Sequence, residues 1–193
     1  MDTKSLPRSF FARNVEAVAR DLLGASLLVN AVGGVVVETE AYDPDDPAAH
    51  SFAGRTARNA VMFGPLGHAY VYRSYGLHWC LNVVCEPGSA VLLRALEPTA
   101  GIEAMLGRRH VNNERLLCAG PGRLCQALGI DGTFNGLALD EKPFLLIGRD
   151  RDPGIVAVPR IGISKAVETL WRFCIQQSRF LSRPAGIAPQ RKG

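Results

Sequence analysis

The amino-acid sequence predicts an α/β (α+β) protein with an antiparallel or mixed β-sheet and helices set to one side. Short apolar runs with period-two alternation follow one another closely, and glycine-containing turns join several of them. Strands that are adjacent in sequence and joined by turns favour antiparallel pairing. No linker divides the chain into parts. We therefore predict one domain over residues 1–193, with about 184–193 as a flexible tail.

The first half of the chain begins with a helix and continues with strands. Residues 9–23 have apolar positions at helical spacing, and Gly24 follows as a C-cap. Residues 25–42 predict two strands, joined by a tight turn at Asn30 to Gly34 that its glycines permit. The rest of this half comprises, in order, a polar loop (42–59), a β-hairpin (68–85) and a further strand (89–98).

The second half returns to helices and then to short strands. Helical spacing occurs in TAGIEAMLGRR and in GPGRLCQALGI. The segments FLLIG and VAVPRIGIS predict short strands, and KAVETLWRFCI predicts a short helix or a turn.

Composition and charge narrow the class of protein. A formal net charge of +4 suits a polyanionic partner without requiring one. The five cysteines form no CxxC pair and lie in apolar surroundings, as buried reduced thiols do, and their spacing from the histidines predicts no metal site. The N-terminus lacks an apolar signal region, and no segment has the roughly 18 apolar residues of a membrane span. We expect a protein of the cytoplasm or nucleoid.

The strand VVVETEAY carries the first candidate site residues. Its alternation places Val36, Glu38, Glu40 and Tyr42 on one face, with the Cα atoms of Glu40 and Tyr42 roughly 7 Å apart. An acid beside an aromatic ring at a strand end, just before a loop with His50, is typical of a ligand pocket. The alternative, that the two glutamates form the solvent face of a half-buried strand, is favoured by this strand alone.

The hairpin HAYVYRSYGLHWC shifts that balance. Tyr70 and Tyr72 share one face, and Asn82 lies within reach on the return strand. Tyr75 stands where the chain reverses, beside Gly76, although a hairpin tip without a function is typically Asn-Gly or Asp-Gly. An exposed aromatic ring on a basic hairpin is a candidate for stacking on or between nucleic-acid bases.

Four arginines, at positions 55, 58, 73 and 94, are spread over the loop, the hairpin and the next strand. Arg94 lies in the apolar run SAVLLRALEP, where a cation needs an anionic partner. That partner is either a phosphate or a carboxylate such as Glu97, and the residues alone leave both open.

Five motifs, taken in order, resemble the 3-methyladenine (alkyladenine) DNA glycosylase family of the mammalian alkyl-purine type. They are VETEAY, AAHSFAGRTARN, MFGPLGHAYVYRSYGLHWCLNVV, VLLRALEP and AGPGRLCQALGI. The resemblance covers about residues 9–175, and the five motifs in the correct order make it specific. It implies a curved, mainly antiparallel sheet with flanking helices and a protruding hairpin that enters the minor groove of DNA.

The resemblance also implies a role for each matching residue. Glu40 would be the base that activates water. Tyr42, His50 and Tyr72 would stack around a flipped purine, and Asn82 would line the pocket. The DNA-binding residues would be Tyr75, which fills the gap left by the base, and Arg94 near the flipped nucleotide. Beside these, we expect Arg55 to be a weaker DNA contact.

The expected reaction follows from this residue set. A base inside a duplex must be extruded before an enzyme can reach it, and an aromatic cage favours a purine made cationic by alkylation. Neither VETEAY nor the hairpin contains a lysine, which argues against a Schiff-base step. We predict a monofunctional, monomeric glycosylase without metal or cofactor, acting on damaged purines in double-stranded DNA. A non-catalytic nucleic-acid-binding module and a nucleoside hydrolase are the alternatives.

Overall fold

The computed structural model describes residues 5–186, and within them the predicted fold class is confirmed. Every strand pairing in its eight-stranded sheet is antiparallel, and the sheet curls into a half-barrel. The strands are β1 (Ser26–Val29), β2 (Val32–Tyr42), β3 (Ala69–Ser74), β4 (His78–Val84), β5 (Ala90–Ala100), β6 (Phe144–Ile147), β7 (Ile155–Val158) and β8 (Arg172–Ile175). Three α-helices accompany them: α1 (Val15–Asp21), α2 (Ile102–Arg109) and α3 (Pro121–Leu128).

The strand order brings the candidate residues to neighbouring strands. The main path of the sheet is β3-β4-β5-β2-β1-β6, and β8 pairs with both β2 and β7. The hairpin of β3 and β4 therefore lies beside β5 and β2, the strands that carry Arg94 and Glu40. The predicted flexible tail lies mostly in residues 187–193, outside the described residues.

Helix α1 is shorter than the predicted helix over residues 9–23. A 3-10 turn, Arg8–Phe11, precedes it, and Asn14 caps its first turn by accepting hydrogen bonds from the backbone N–H groups of Glu16 and Ala17. Gly24 follows the helix at φ +86°, the left-handed conformation typical of a helix end. The apolar face of α1 is buried against the sheet, where Val18 and Ala19 are fully covered.

The turn between β1 and β2 differs from the prediction. Asn30 and Ala31 form it, at φ +49° and +63°, whereas the two glycines lie inside β2. A Cβ atom on Gly33 would come within 1.9 Å of the Leu27 carbonyl oxygen. The glycines therefore permit close approach of neighbouring strands, a need that a turn pattern in the sequence does not reveal.

A bulge in β2 corrects the predicted alternation. The register with β5 shifts between Val36 and Glu38, so Val36 joins the main core cluster together with Ala41. Glu38 and Glu40 are nevertheless fully buried, because α1 covers one face of the strand and the segments after β7 and after β8 cover the other. The solvent-face alternative for the two glutamates is therefore wrong.

The C-terminal third departs most from the sequence prediction. Residues 172–175, predicted as helix or turn, form β8, which completes the sheet against β2. Residues 159–164, predicted as strand, are irregular and reach the candidate site instead. All five cysteines are buried free thiols, as predicted. Among residues 5–186 no helix is long and apolar enough to cross a bilayer.

Candidate active site

A cavity of about 640 Å³ opens beside the hairpin and gathers most of the predicted site residues. Strand β2 contributes Tyr42, the hairpin contributes Tyr72, Tyr75 and Asn82, β5 contributes Arg94, and the loop after β2 contributes His50. Arg55 lies in the same loop, exposed, and does not line the cavity, whereas Arg58 does. Backbone from residues 161–165 closes another side, which the sequence did not predict.

Three rings form an aromatic cluster on one wall. His50 meets Tyr72 edge-on with ring centroids 4.5 Å apart, and Tyr70 stacks on Tyr72 at 5.4 Å. The His50 Nδ1 atom lies 3.0 Å from the Tyr70 hydroxyl, which holds the imidazole in place. Partial burial and the nearby charge of Arg58 lower the pKa of His50, which favours the neutral ring.

Tyr42 supplies a further ring and a hydroxyl. Its hydroxyl donates to Glu40 Oε2 at 2.9 Å, and the guanidinium of Arg160 lies over its ring, 4.8 Å from the centroid. Burial and the adjacent Glu40 carboxylate raise the pKa of Tyr42 far above its ordinary value, so the phenol stays protonated. Burial likewise raises the pKa of Tyr72 well above its ordinary value and that of Tyr70 to about 12.

Glu40 lies directly behind the cavity wall. Its Oε1 accepts from the Ile161 backbone N–H at 2.8 Å, and its Oε2 accepts from the Tyr42 hydroxyl and from Arg94 Nη1 at 3.2 Å. The carboxylate is fully buried, and its three partners, Tyr42, Arg94 and Ile161, all line the cavity. Such an oriented carboxylate beside a cavity can accept a proton from a bound water molecule.

Glu38 was not predicted as a site residue, yet it organises the charges behind the cavity. It accepts hydrogen bonds from Arg94 Nε at 2.9 Å, from Arg172 Nε at 2.7 Å, and from the backbone N–H and hydroxyl of Ser182. Burial by itself would raise the pKa of Glu38, but Arg94, Arg172 and Ser182 outweigh it and lower that pKa. The one sequence feature that hints at this role is a charged residue inside an otherwise apolar strand.

Arg94 bridges the two buried glutamates. Its side chain is 7% exposed and pairs with Glu38 and Glu40 rather than with Glu97, the carboxylate partner suggested by the sequence. Its Nη2 donates to the Ser182 hydroxyl at 3.3 Å. Each Nη atom of a guanidinium carries two hydrogens, so Arg94 retains donors at the cavity that these contacts do not use. Its contact with DNA stays a prediction.

Arg160 is a second site residue that sequence reasoning missed. It is buried, forms an ion pair with Asp46 and donates to the Ala41 carbonyl oxygen at 2.9 Å. These contacts fix the segment whose next residue, Ile161, donates to Glu40. Its sequence signal was the cation in the apolar run VAVPRIGIS.

Asn82 and Tyr75 occupy opposite environments. The buried Asn82 side chain lines the cavity and donates to the Tyr70 carbonyl oxygen across the hairpin at 3.0 Å. Tyr75 is 85% exposed at the tip, where Tyr75 and Gly76 take φ +49° and +68°. Two positive φ values form the tight turn that matches strand twist, and a tyrosine is uncommon there. The turn therefore presents the ring to solvent.

The distribution of histidine, cysteine and acidic side chains bears on metal binding. No cluster of three or more histidine, cysteine, aspartate or glutamate side chains with that capacity occurs among residues 5–186. The cavity is lined by hydroxyls, aromatic rings and guanidinium groups, with the Glu40 carboxylate behind its wall.

A cavity of this kind beside an exposed hairpin fits the class of DNA glycosylases, and comparison with known proteins shows that class. The methylpurine-DNA glycosylase family profile matches residues 9–179. The chain therefore belongs to the methylpurine-DNA glycosylase family, which confirms the resemblance stated from its motifs.

Similar bacterial proteins agree with this assignment. A protein of Rhodopseudomonas palustris strain BisB18 is 63% identical over 182 residues, which are 93% of this chain and 91% of that protein. Relatives from Rhizobium meliloti and Nitrosospira multiformis are 60% and 56% identical, over 90% and 93% of this chain and 94% and 95% of their own lengths. All three carry the name 3-methyladenine DNA glycosylase.

Proposed function

We propose that this protein flips alkylated or deaminated purines out of double-stranded DNA and hydrolyses their N-glycosidic bond with a water activated by Glu40. The observation that carries the proposal is the position of Glu40. Its carboxylate is held by Ile161, Tyr42 and Arg94 directly behind an aromatic cavity that lies beside an exposed hairpin tip. A base must be extruded to enter such a cavity.

The cavity suits a flipped purine that carries positive charge. Tyr42, His50 and Tyr72 offer ring faces and edges at its walls, and the tyrosines stay protonated. Alkylation at N3 or N7 makes a purine cationic, and an electron-rich ring attracts a cation over its face. The same alkylation weakens the glycosidic bond, so an oriented water and a carboxylate are sufficient for its cleavage.

The proposed step balances without a cofactor. The water oxygen bonds to the sugar C1′, the bond from C1′ to the purine nitrogen breaks, and its electron pair leaves with the base. Glu40 takes a proton from the attacking water. A cationic alkylpurine departs neutral, whereas a deaminated purine departs as an anion that takes up a proton from solvent. The products are the free base and an abasic site in the DNA.

The remaining predicted residues act on the DNA in this proposal. Tyr75 fills the space of the extruded nucleotide, Arg94 donates from the cavity wall to the backbone of that nucleotide, and Arg55 contacts DNA from its exposed loop. The protein works as a monomer in the cytoplasm, at the nucleoid while it is bound to DNA.

The test is abasic-site formation on otherwise identical duplexes that each carry 3-methyladenine, 7-methylguanine, hypoxanthine or ethenoadenine. We expect cleavable abasic sites in at least one lesion duplex and none in undamaged DNA. Binding without abasic sites would favour the non-catalytic module instead. Release of bases from free nucleosides but not from duplexes would favour the nucleoside hydrolase.

Replacing Tyr75 with alanine should weaken base flipping by roughly 1–3 kcal/mol, the contribution of one base–aromatic stack. The exposed ring supports little of the core, so the melting temperature should stay close to that of the wild type. Fluorescence of a base analogue opposite thymine reports the flipping equilibrium. Tyr75→Phe is the matched control, because it keeps the ring and should flip normally. A flipping equilibrium that is equal in the two variants would contradict the role of the ring.

Asn82→Ser should raise excision of guanine mispaired with thymine relative to hypoxanthine, by about tenfold to a hundredfold. Guanine carries an exocyclic 2-amino group, and the bond from Asn82 to the Tyr70 carbonyl fixes the amide so that it cannot swing aside. Serine makes room for that group. Single-turnover release of each base from identical duplexes measures the ratio. Equal losses of both activities would show that Asn82 serves only the hairpin structure.

A further inference from the structure

A second cavity, of about 950 Å³, lies on the other side of the hairpin from the proposed base pocket. Leu77 of the hairpin turn and Trp79 of β4 line one side, and the end of α2 together with α3 lines the other. His78 and Pro121 line both cavities, so the two adjoin at these residues. Close packing forms this boundary, because a Cβ atom on Gly122 of α3 would lie 2.7 Å from the Cβ atom of His78. We call the second cavity the basic groove.

Positive charge dominates the basic groove. Arg108 and Arg109 at the end of α2 and Arg123 in the first turn of α3 line it, against one acidic residue, Asp131. The Asp131 carboxylate is occupied by the backbone N–H and hydroxyl of Thr133. None of the ion pairs found in residues 5–186 involves any of the three arginines.

The arginines are held in position by neutral acceptors. Arg108 Nη1 donates to the Ala127 carbonyl oxygen at 2.9 Å, Arg109 Nε to that of Leu117 at 3.2 Å, and Arg123 Nη1 to that of Ala119 at 3.3 Å. A guanidinium has five N–H donors, so most of them remain for a ligand. Burial and the nearby charge of Arg123 lower the pKa of Arg109, as expected where two guanidinium groups lie close together.

We infer that the basic groove binds backbone phosphates of the duplex on one side of the extruded purine. The inference rests on the proposed function, because the hairpin tip marks where the duplex opens. If Tyr75 fills the gap in the helix while the purine occupies the pocket, the DNA that flanks the lesion must pass beside the return strand β4. That strand forms a wall of the groove.

Charge and position favour duplex DNA over other anions. Guanidinium groups match phosphate oxygens in geometry, and three of them around one groove suit a run of phosphates along a strand. The groove also adjoins the base pocket at His78 and Pro121. A small anion or an acidic protein does not need a groove that adjoins the base pocket, whereas a DNA strand whose base occupies that pocket does.

The first test is the salt dependence of affinity for a duplex that contains a stable abasic-site analogue. The variants are Arg108→Gln, Arg123→Gln and the double variant. Each lost phosphate contact should reduce the slope of log affinity against log salt by about 0.9. Arg151→Gln is the matched control, because it removes the same charge from an exposed residue between β6 and β7, away from the hairpin. Its slope should equal that of the wild type.

The second test shortens the duplex on one side of the analogue at a time. Shortening one flank should abolish the affinity difference between wild type and the double variant, and shortening the other should preserve it. A difference that survives both truncations would overturn the inference, as would groove variants that match Arg151→Gln in slope.

Three further measurements separate this inference from other causes. Arg108→Lys keeps the charge and should keep the slope. Arg123→Gln disturbs only a contact next to its own helix and should melt normally, so a lower slope there cannot come from a loosened fold. Wild-type excision of lesion purines tests the proposed function separately. If the wild type excises lesion purines normally but the variants have unaltered salt slopes, the inference about the basic groove is wrong and the proposed function stands.

Discussion

Glu40→Gln should lose base excision by at least ~100-fold while it keeps most of its affinity for lesion DNA. The carboxylate accepts from a backbone N–H, a phenol and a guanidinium, all of which are donors. Glutamine has nearly the same shape but cannot take a proton from water at neutral pH. The NH2 group of the glutamine amide is itself a donor and must face one of these donors. The hydrogen bonds around residue 40 should therefore change, while the overall fold is kept.

Single-turnover excision with enzyme in excess of a lesion duplex isolates this effect from binding and product release. Glu97→Gln is the matched control, because it makes the same change on the neighbouring strand β5 at an exposed carboxylate outside the cavity. The control should excise at the wild-type rate. A Glu40→Gln enzyme that excises nearly as fast as the control would transfer the role of base to Glu38.

Arg94→Met should destabilise the protein by about 3–5 kcal/mol, the usual effect of removing one partner from a buried ion pair. The substitution leaves Glu38 and Glu40 buried with fewer donors, and only Arg172 remains as a cation bonded to Glu38. Methionine fills part of the volume, so the loss is mainly electrostatic. Urea denaturation at neutral pH measures it. The control Arg20→Met, in a half-exposed pair with Glu16, should lose less than about 1 kcal/mol.

The loss of stability in Arg94→Met should also depend on pH in a defined direction. The folded state lowers the pKa of Glu38 below its ordinary 4.5, so its stabilising effect is present above that value. This stabilisation disappears as the pH falls through the lower, folded pKa. Because Arg94 is one cause of the lowered pKa, the difference between wild type and Arg94→Met should be largest above about pH 4.5 and shrink below it.

The same variant decides between the two roles of Arg94. A variant that is as stable as the wild type but has a salt slope lower by about 0.9 would show a phosphate contact without a structural role. A large loss of stability with an unchanged slope would show the ion pair alone. Both effects together would mean that Arg94 supports Glu40 and also contacts the DNA, as proposed.

Local sequence pattern was sufficient to predict the hairpin, which carries Tyr72 of the proposed aromatic cage and the tip residue Tyr75. The alternation in HAYVYRSY and the reversal at Tyr75–Gly76 predicted a hairpin, and the structure has one with the predicted tip. Helical spacing likewise predicted α2 and α3. These features depend on residues close in sequence, where period and turn chemistry are decisive.

Features that depend on distant contacts were not predictable. The bulge at Glu38 reverses the face of Val36, and no local pattern marks it. Glu38 is bonded to Arg172 and Ser182, and Glu40 to the backbone of Ile161, all of which lie more than a hundred residues later in the chain. Strand β8 is a four-residue run whose pairing with β2 and β7 decides its conformation. Tertiary context overrides weak local preference in such short segments.

The dependence of Glu38 on residues 172 and 182 has a consequence during protein synthesis. The ribosome delivers Glu38, Glu40 and Arg94 long before it delivers Arg172 and Ser182, which are separated from Glu38 by 134 and 144 positions. Until that late segment emerges, two carboxylates face a single guanidinium, and an excess of buried negative charge opposes closure of the sheet. The nascent polypeptide therefore cannot settle the charges behind the candidate site before residues 172 and 182 have emerged, and a chain released before them would lack both partners of Glu38.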